Sequence, residues 1–177
     1  MNGVVIRSDG LRYITEDGGV TWNTMYIFPG LKNIYYLNNG FGWYVGYYQF
    51  NDVTLGQFIR YDPGNYSTIS QKIARVPLND IYFSDSDNGW AAGGNRYNIA
   101  GINRDVLLHT NDGGLNWVKA LDVSGSGLYD LKFFNENIGY AANRNGIYKT
   151  IDGGDTWSYI PITDDYSLGR MSIADQN

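Results

Sequence analysis

One eight-residue pattern, T-x-D-G-G-x-[NT]-W, occurs three times in the chain and constrains its fold more than any other feature. The copies span residues 15–22, 110–117 and 150–157, and we call these segments the octets. Self-similarity along a chain indicates a repeat architecture, in which one supersecondary unit is used several times. The octets therefore define the unit from which this protein is built.

The residue types of the octets predict hairpin turns. Asp-Gly-Gly between strand-like runs is typical of a tight turn, because glycine adopts the positive φ that such turns need. The aspartate is predicted to be structural and to accept backbone N–H groups across the turn, and the closing tryptophan is predicted to anchor its strand on a neighbouring unit. These structural residues are Asp17, Trp22, Asp112, Trp117, Asp152 and Trp157.

Metal sites are the alternative interpretation of the octets. Each octet region offers too few carboxylates for Ca²⁺, which takes about six to eight oxygen ligands. We therefore expect no metal and no cofactor.

The octet resembles the Asp-box, or BNR repeat, of sialidases and other β-propellers. The wider unit is similar to the repeat of the photosystem II assembly and stability factor family. In that comparison LNDIYF (78–83) and NGWAAG (88–93) precede one octet, and LYDLKFF (128–134) and IGYAA (138–142) precede the next. The resemblance covers nearly the whole chain. It implies an all-β propeller of antiparallel four-stranded blades.

Composition agrees with a single all-β domain. The 177 residues include 23 glycines and are 16% aromatic, a combination typical of many short strands joined by tight turns. A net charge of −5 argues against nucleic acid as a partner, and the absence of cysteine excludes disulfides and thiolate chemistry. The sequence has neither a signal-peptide pattern nor a membrane-spanning run. Localisation stays open, since a leader or a parent chain can have been removed.

The chain divides into four blades of strands A to D, with the octet as the C–D hairpin. Blade 1 comprises residues 1–30 and 167–177, blade 2 residues 31–75, blade 3 residues 76–122 and blade 4 residues 123–166. In blade 1 we expect strands at 3–7, 11–15 and 20–28, with no strand A before them. In blade 2 the turn at 62–65 replaces the octet, between strands at 57–61 and 66–74.

The C-terminal tail is predicted to close the ring. Residues 168–177 align without gaps on 128–137, which is strand A of blade 4. The tail is therefore expected to supply strand A of blade 1 beside residues 3–7. The result is a four-bladed monomer. The alternatives are half of an eight-bladed, ring-sharing homodimer and a fragment of a larger propeller.

Two predicted B–C loops, residues 47–54 and 95–104, are longer than a minimal turn, and insertions on one face of a repeat fold often carry binding. Aromatic, amide and arginine side chains suit a sugar or peptide. Two arginines near the ends of strand B are further candidates for this face. The candidate binding residues are Tyr47, Tyr48, Gln49, Phe50, Arg96, Tyr97, Asn98, Arg7 and Arg144. The alternatives are loops that only cover strand ends, and arginines that pair separately with Asp9 or Asp105.

An enzyme is the weaker interpretation. Sialidase-type chemistry, which the Asp-box resemblance brings to mind, needs an arginine triad, a tyrosine with a glutamate partner and an aspartic acid. The chain has only Glu16 and Glu136, both predicted on the octet end, and its single histidine, His109, is predicted to pack within strand C. No catalytic residues are assigned.

Three functions follow, in this order. The first is a non-catalytic binding or scaffold module, whose partner is a protein or a glycan. The second is a structural or adhesive component of a larger particle, such as a phage virion. The third is a glycoside hydrolase-related propeller. The assembly-factor resemblance favours a protein partner.

Overall fold

The computed structural model describes residues 3–7, 9–26, 29–51, 53–64, 67–95, 103–162, 168 and 170–172. These residues form fifteen β-strands and no helix. The strands make four antiparallel sheets, in agreement with the expected all-β propeller. Among the described residues no helix is long and apolar enough to cross a membrane.

Each sheet is one blade, with its strands in chain order. Blade 1 contains β1 (Gly3–Ile6), β2 (Leu11–Thr15) and β3 (Asn23–Tyr26). Blade 2 contains β4 (Leu31–Tyr36), β5 (Gly42–Phe50), β6 (Val53–Asp62) and β7 (Ser67–Ala74). Blade 3 contains β8 (Leu78–Phe83), β9 (Gly89–Gly94), β10 (Arg104–Thr110) and β11 (Val118–Ser124). Blade 4 contains β12 (Asp130–Phe133), β13 (Gly139–Asn143), β14 (Gly146–Thr150) and β15 (Ser158–Pro161).

Two expected strand boundaries were wrong. Strand D of blade 1 begins at Asn23 rather than Val20, because the octet turn continues through Trp22. In blade 2 the expected loop 47–54 is largely strand, since β5 continues to Phe50 and β6 starts at Val53. The two strands stay paired up to Phe50 and Val53, next to Asn51, which has a left-handed φ of 46°.

The register identifies equivalent positions in the four blades. Strand B starts at a glycine that pairs with the last or the next-to-last residue of strand C, as in Gly3 with Thr15 and Gly89 with Thr110. Gly42 pairs with Tyr61, and Gly139 with Thr150, in the same way. The residue after each glycine is therefore equivalent. These residues are Val4, Trp43, Trp90 and Tyr140.

Apolar side chains fill the junctions between blades. One buried cluster joins blades 2 and 3 and includes Trp43, Phe58 and Phe83. A second joins blades 3 and 4 around Trp90 and Leu131. The burial of rings and branched side chains from two sheets at each junction is the main force that holds the blades together.

The described part of the tail lies against blade 4. The hydroxyl of Tyr129 donates to the carbonyl of Leu168 at 2.6 Å. One blade earlier, the side chain of Asn79 donates to the carbonyl of Leu128 at 2.7 Å. The tail thus repeats the contact that strand A of blade 4 makes with blade 3. Residues 170–172 form no strand, and the expected pairing of the tail with β1 remains a prediction.

Candidate functional site

The octets are hydrogen-bonded turns. In blade 3 the hydroxyl of Thr110 accepts from the backbone N–H of Gly114 at 2.9 Å and donates to Asp112 at 2.8 Å. The carboxylate of Asp112 accepts from the backbone and the side chain of Asn116, both at 2.8 Å. The indole N–H of Trp117 then donates to the carbonyl of Gly114 at 3.1 Å. Every polar residue of the pattern is used within the turn.

The other two octets repeat this network. Asp17 accepts the backbone N–H of Thr21 at 2.9 Å and its hydroxyl at 2.6 Å. Asp152 accepts the same two groups from Thr156 at 3.0 and 2.5 Å. The hydrogen bond from the Thr156 hydroxyl and those from backbone N–H groups lower the pKa of Asp152 to about 2. Equivalent bonds, chiefly the backbone N–H of Asn116, lower the pKa of Asp112 to about 2.

Two octets also cover the edge of the preceding blade. The indole N–H of Trp43, in blade 2, donates to the carbonyl of Gly113 in blade 3 at 3.1 Å. In blade 4, a Cβ at Gly154 would lie 2.4 Å from Nε1 of Trp90, so only glycine allows this approach. The octets are therefore contacts between blades as well as turns.

The three tryptophan anchors differ in their surroundings. Trp117 packs edge-on against Phe58 of the preceding blade, with ring centroids 5.1 Å apart. Trp157 packs edge-on against Phe133 at 6.0 Å. Trp22 is 43% exposed, although its indole makes the same intra-octet hydrogen bond. Among the described residues, the anchor in blade 1 lacks the burial that the other two have.

The opposite end of the blades carries the predicted binding residues of blade 2. Tyr47 is level with Gly94, the last residue of β9, and Tyr48 lies on the part of β5 that extends beyond the other B strands. The ammonium of Lys72 lies 4.2 Å from the ring centroid of Tyr48, which is 37% exposed. The ammonium of Lys32 lies 5.2 Å from the ring centroid of Tyr47. We call this projecting β5–β6 segment, residues 47–54, the hairpin extension.

Of the other predicted binding residues, Gln49 and Phe50 belong to the hairpin extension, and no described contact brings Arg7 or Arg144 to it. Gln49 is exposed on the extension, and the side chain of Phe50 and residues 96–98 lie outside the described parts. Arg7 forms an ion pair with its neighbour Asp9 at 2.8 Å, which is the separate pairing considered above. Arg144 is exposed, and its backbone N–H donates to the hydroxyl of Ser126 at 3.0 Å.

Two buried charged clusters were missed by the sequence analysis. In the first, the guanidinium of Arg12 donates to the hydroxyls of Tyr36 at 3.1 Å and Tyr44 at 2.6 Å. Arg12 is only 3% exposed, and these bonds join blade 1 to blade 2. An arginine in a short strand is expected to be exposed, and nothing in the sequence identifies its two tyrosine partners.

The second cluster joins the A strands near their starts. The carboxylate of Asp80 accepts from the backbone N–H of Leu131 at 2.8 Å, and that of Asp130 accepts from the backbone N–H of Met171. The ammonium of Lys132 lies 3.2 Å from Asp80 and 3.1 Å from Asp130. Burial raises the pKa of Asp80 to about 6, against the opposing effect of the Lys132 charge. The sequence contained a signal for this cluster, because Asp80 and Asp130 occupy equivalent positions in the aligned A strands.

No catalytic arrangement is evident among the described residues. Glu16 and Glu136 are both exposed and lie in turns. His109 stacks on Trp90 with ring centroids 4.7 Å apart, as expected for a packed strand residue, and burial lowers its pKa. Within the described ranges, no group of three or more His, Cys, Asp or Glu side chains is placed to hold a metal ion.

Comparison with known proteins supports the repeat resemblance. No protein family model matches the chain. Over 119 residues it is 31% identical to the chloroplastic photosystem II stability/assembly factor HCF136 of Oryza sativa subsp. japonica. This match covers 63% of the chain and 26% of the rice protein. The chain thus spans about a quarter of its curated relative.

Solved structures give the fold. YCF48 bound to D1 peptide matches 86% of this chain and 45% of its own, with a TM-score of 0.56 and 19% identity. YCF48 from Cyanidioschyzon merolae matches 84% of this chain and 63% of its own at a TM-score of 0.37 and 14% identity. The chain is an all-β propeller-type protein, similar in sequence to the photosystem II assembly factor HCF136 and in fold to YCF48.

Proposed function

We propose that this chain is a non-catalytic scaffold module that binds an extended polypeptide on the hairpin extension of blade 2. The observation that carries the proposal is the pair of tyrosine rings on this extension, each with a lysine ammonium within about 5 Å of its centroid. The extension belongs to strands of nine and ten residues, whereas the corresponding strands of blade 4 have five each. Blade 4 forms a four-stranded sheet without these additional residues.

The chemistry of the extension suits a peptide. A tyrosine ring offers a flat apolar surface at a low cost in conformational entropy, and aromatic residues are enriched at protein interfaces. The ammonium of Lys72 next to Tyr48 adds a donor for a peptide carboxylate or carbonyl. Val53, 50% exposed, extends the apolar surface on the facing strand. An acidic or C-terminal peptide segment is the ligand that this combination favours.

The comparisons support the same class of ligand. YCF48, which has a similar fold, is seen bound to D1 peptide, and HCF136 is an assembly factor. Both facts concern those proteins, and the shared fold makes a polypeptide the first ligand to test here. The exposed and separated Glu16 and Glu136 give no support to a hydrolase.

The test is a peptide-binding titration with matched surface variants. D1 peptide and peptides selected from a random displayed library are titrated against the full chain. Tyr48→Ser is expected to weaken binding by about tenfold, as for an aromatic anchor, and Lys72→Gln by a smaller factor. Tyr159→Ser is the matched control, because Tyr159 is a tyrosine of similar exposure, 43%, in blade 4.

Three results would contradict the proposal. The first is that no peptide binds, and the second is that Tyr48→Ser and Tyr159→Ser weaken binding equally. The third is that a glycan array identifies ligands whose binding depends on Tyr48 and that no peptide displaces these glycans. Circular dichroism of each variant verifies that the blades remain folded.

A further inference from the structure

The junction between blades 1 and 2 contains an open cleft at a position where the next two junctions contain an indole. Between blades 2 and 3, Trp43 stacks on Phe83 with ring centroids 3.9 Å apart and planes 9° apart. Between blades 3 and 4, Trp90 lies against Phe133 with centroids 4.6 Å apart. Both indoles are at most 5% exposed. The repeat therefore has a defined place for one large aromatic ring at each junction.

Blade 1 does not supply that ring. The strand register places Val4 at the position of Trp43 and Trp90. The facing ring is still present, since Tyr36 occupies the place of Phe83 and Phe133 at the end of strand A. A valine in place of a tryptophan leaves a space that neighbouring strands, fixed by their hydrogen bonds, do not fill.

The octet is also missing from this junction. In blade 3 the octet reaches back over the indole of blade 2, through the bond from Trp43 to Gly113. In blade 2 a shorter turn takes its place, in which the carboxylate of Asp62 accepts the N–H of Gly64 at 2.8 Å. The cleft is therefore open to solvent at this end of the blades. It has a volume of about 680 Å³, and its lining includes Val4, Ile14, Glu16, Ile34, Tyr36 and Pro63.

We propose that this cleft, which we call the indole slot, binds an aromatic side chain of a partner polypeptide, with tryptophan preferred. The occupant is inferred from the two equivalent junctions, where the same place is filled by an indole stacked on the ring at the end of strand A. The volume falls within the range of about 300–1,000 Å³ found for ligand pockets. It accommodates the ring together with the backbone on either side of it.

The charge at the rim selects the residues next to the ring. Glu16 is exposed in the octet turn of blade 1 and is the charged residue among the described residues that line the slot. The chain also has a net charge of −5. A partner segment with lysine or arginine beside the aromatic residue is therefore favoured over an acidic one. The indole slot lies at the octet end, whereas the hairpin extension lies at the other end, so this is a second site.

The experiment is a titration followed by NMR, with the ¹⁵N-labelled full chain. The probes are N-acetyl-tryptophanamide and the blocked tripeptides Lys-Trp-Lys, Lys-Ala-Lys and Glu-Trp-Glu. We expect Lys-Trp-Lys to bind most tightly and to shift the amides of Gly3, Ile14 and Gly40, which border the slot. Amides of blade 4 serve as an internal reference. Lys-Ala-Lys should not produce these shifts.

Substitutions at one position test the slot itself. Val4→Trp places the ring of the protein in the slot and is expected to reduce Lys-Trp-Lys binding by about tenfold or more. Val4→Ala leaves the slot open and is expected to retain binding. Val4→Leu and Val4→Phe give a graded series if the tryptophan variant does not fold. Glu16→Gln should reduce the preference for Lys-Trp-Lys over Glu-Trp-Glu by about two- to threefold, as for a rim charge.

The other possible occupants would overturn the proposal. If a segment of this chain fills the slot, none of the probes binds and Val4→Trp lowers the melting temperature. If a second copy fills it, the wild type dimerises with rising concentration and Val4→Trp abolishes the dimer. The proposal would also be rejected if the probes shifted amide signals only outside the slot. It would be rejected as well if all Val4 variants bound Lys-Trp-Lys as tightly as the wild type. Tyr48→Ser leaves this binding unchanged, which separates the two sites.

Discussion

The junction between blades 2 and 3 and the junction between blades 1 and 2 share a strand register but differ in chemistry. The first is filled by stacked rings, Trp43 on Phe83, and closed by an octet. The second combines the guanidinium of Arg12 between two tyrosine hydroxyls with the packing of Ile6 against a buried cluster in blade 2, and beside these contacts lies the indole slot. A repeat fold therefore keeps its backbone geometry while the contents of its junctions change.

This difference explains where a binding site can arise in a repeat protein. A junction filled by its own rings has no space for a ligand, because interiors are packed at nearly crystalline density. A junction that is held by a few directional polar contacts can leave space beside them. Blade 1 joins blade 2 partly in this second way, with the apolar contact of Ile6 beside the polar ones and with small partly buried side chains such as Val4 facing the gap.

The largest expected effect is that of Trp43→Ala. The indole is fully buried between two blades, so its loss should lower the free energy of unfolding by about 3–5 kcal/mol. Val4→Ala at the equivalent position should cost less than about 1 kcal/mol, because one side of Val4 faces the open slot. Urea denaturation followed by tryptophan fluorescence and circular dichroism measures both. If the two substitutions lowered the free energy of unfolding equally, the proposed difference in packing between the two junctions would be wrong.

Arg12→Leu tests the polar junction. Leucine cannot donate to the hydroxyls of Tyr36 and Tyr44, and the change should lower the free energy of unfolding by about 1–3 kcal/mol. Arg7→Leu is the matched control in the same blade, since Arg7 is exposed and pairs only with nearby Asp9 and Tyr13 in the contacts described. It should leave the urea midpoint unchanged. A neutral Arg12→Leu would mean that polar contacts do not hold blade 1.

The octets provide a third test. Asp112→Ala leaves the N–H of Asn116 without its carboxylate partner and should lower the free energy of unfolding by about 0.5–2 kcal/mol, as for a lost helix cap. Asp17→Ala breaks the same type of turn where Trp22 is exposed, so its effect on stability should be smaller. Differential scanning calorimetry measures the two. A larger loss of stability for Asp17→Ala than for Asp112→Ala would contradict this expectation and would mean that the octet of blade 1 contributes more to stability.

The smallest expected effect concerns acid. The folded-state pKa of Asp112 is about 2, below the value of about 3.9 for a free aspartate. Its stabilising contribution is therefore complete above about pH 4 and is lost as the pH falls toward 2. Asp112→Asn should flatten the dependence of the melting temperature on pH between 4 and 2.

Much of the blade plan could be predicted because it depends on local chemistry. Asp-Gly-Gly determines its own turn, and the tryptophan of each octet bonds to the glycine three residues before it. The spacing of the octets then separates the blades. The pattern gives Trp22, Trp117 and Trp157 the same role, whereas Trp22 is the most exposed of the three, because the pattern contains no information on the neighbouring blade.

The remaining features depend on contacts between distant residues. The extension of β5 and β6 was expected as a loop, because tyrosine, glutamine and asparagine suit both a loop and a projecting hairpin. The bonds of Arg12 to Tyr36 and Tyr44 cross 24 and 32 residues. The indole slot could be recognised only from the strand register. The pairing of Gly3 with Thr15 shows that Val4 occupies the position that Trp43 occupies in blade 2.

The bond from Leu131 to Asp80 has a consequence for hydrogen exchange. The N–H of Leu131 is protected by a side chain of the neighbouring blade rather than by a strand of its own sheet. Its exchange with deuterium should therefore follow the separation of blades 3 and 4, whereas amides bonded across β13 and β14 follow the loss of blade 4 itself. The amide of Met171, bonded to Asp130, reports in the same way on detachment of the tail. Comparison of Leu131 with the amides of β13 and β14 thus distinguishes the separation of intact sheets from their unfolding.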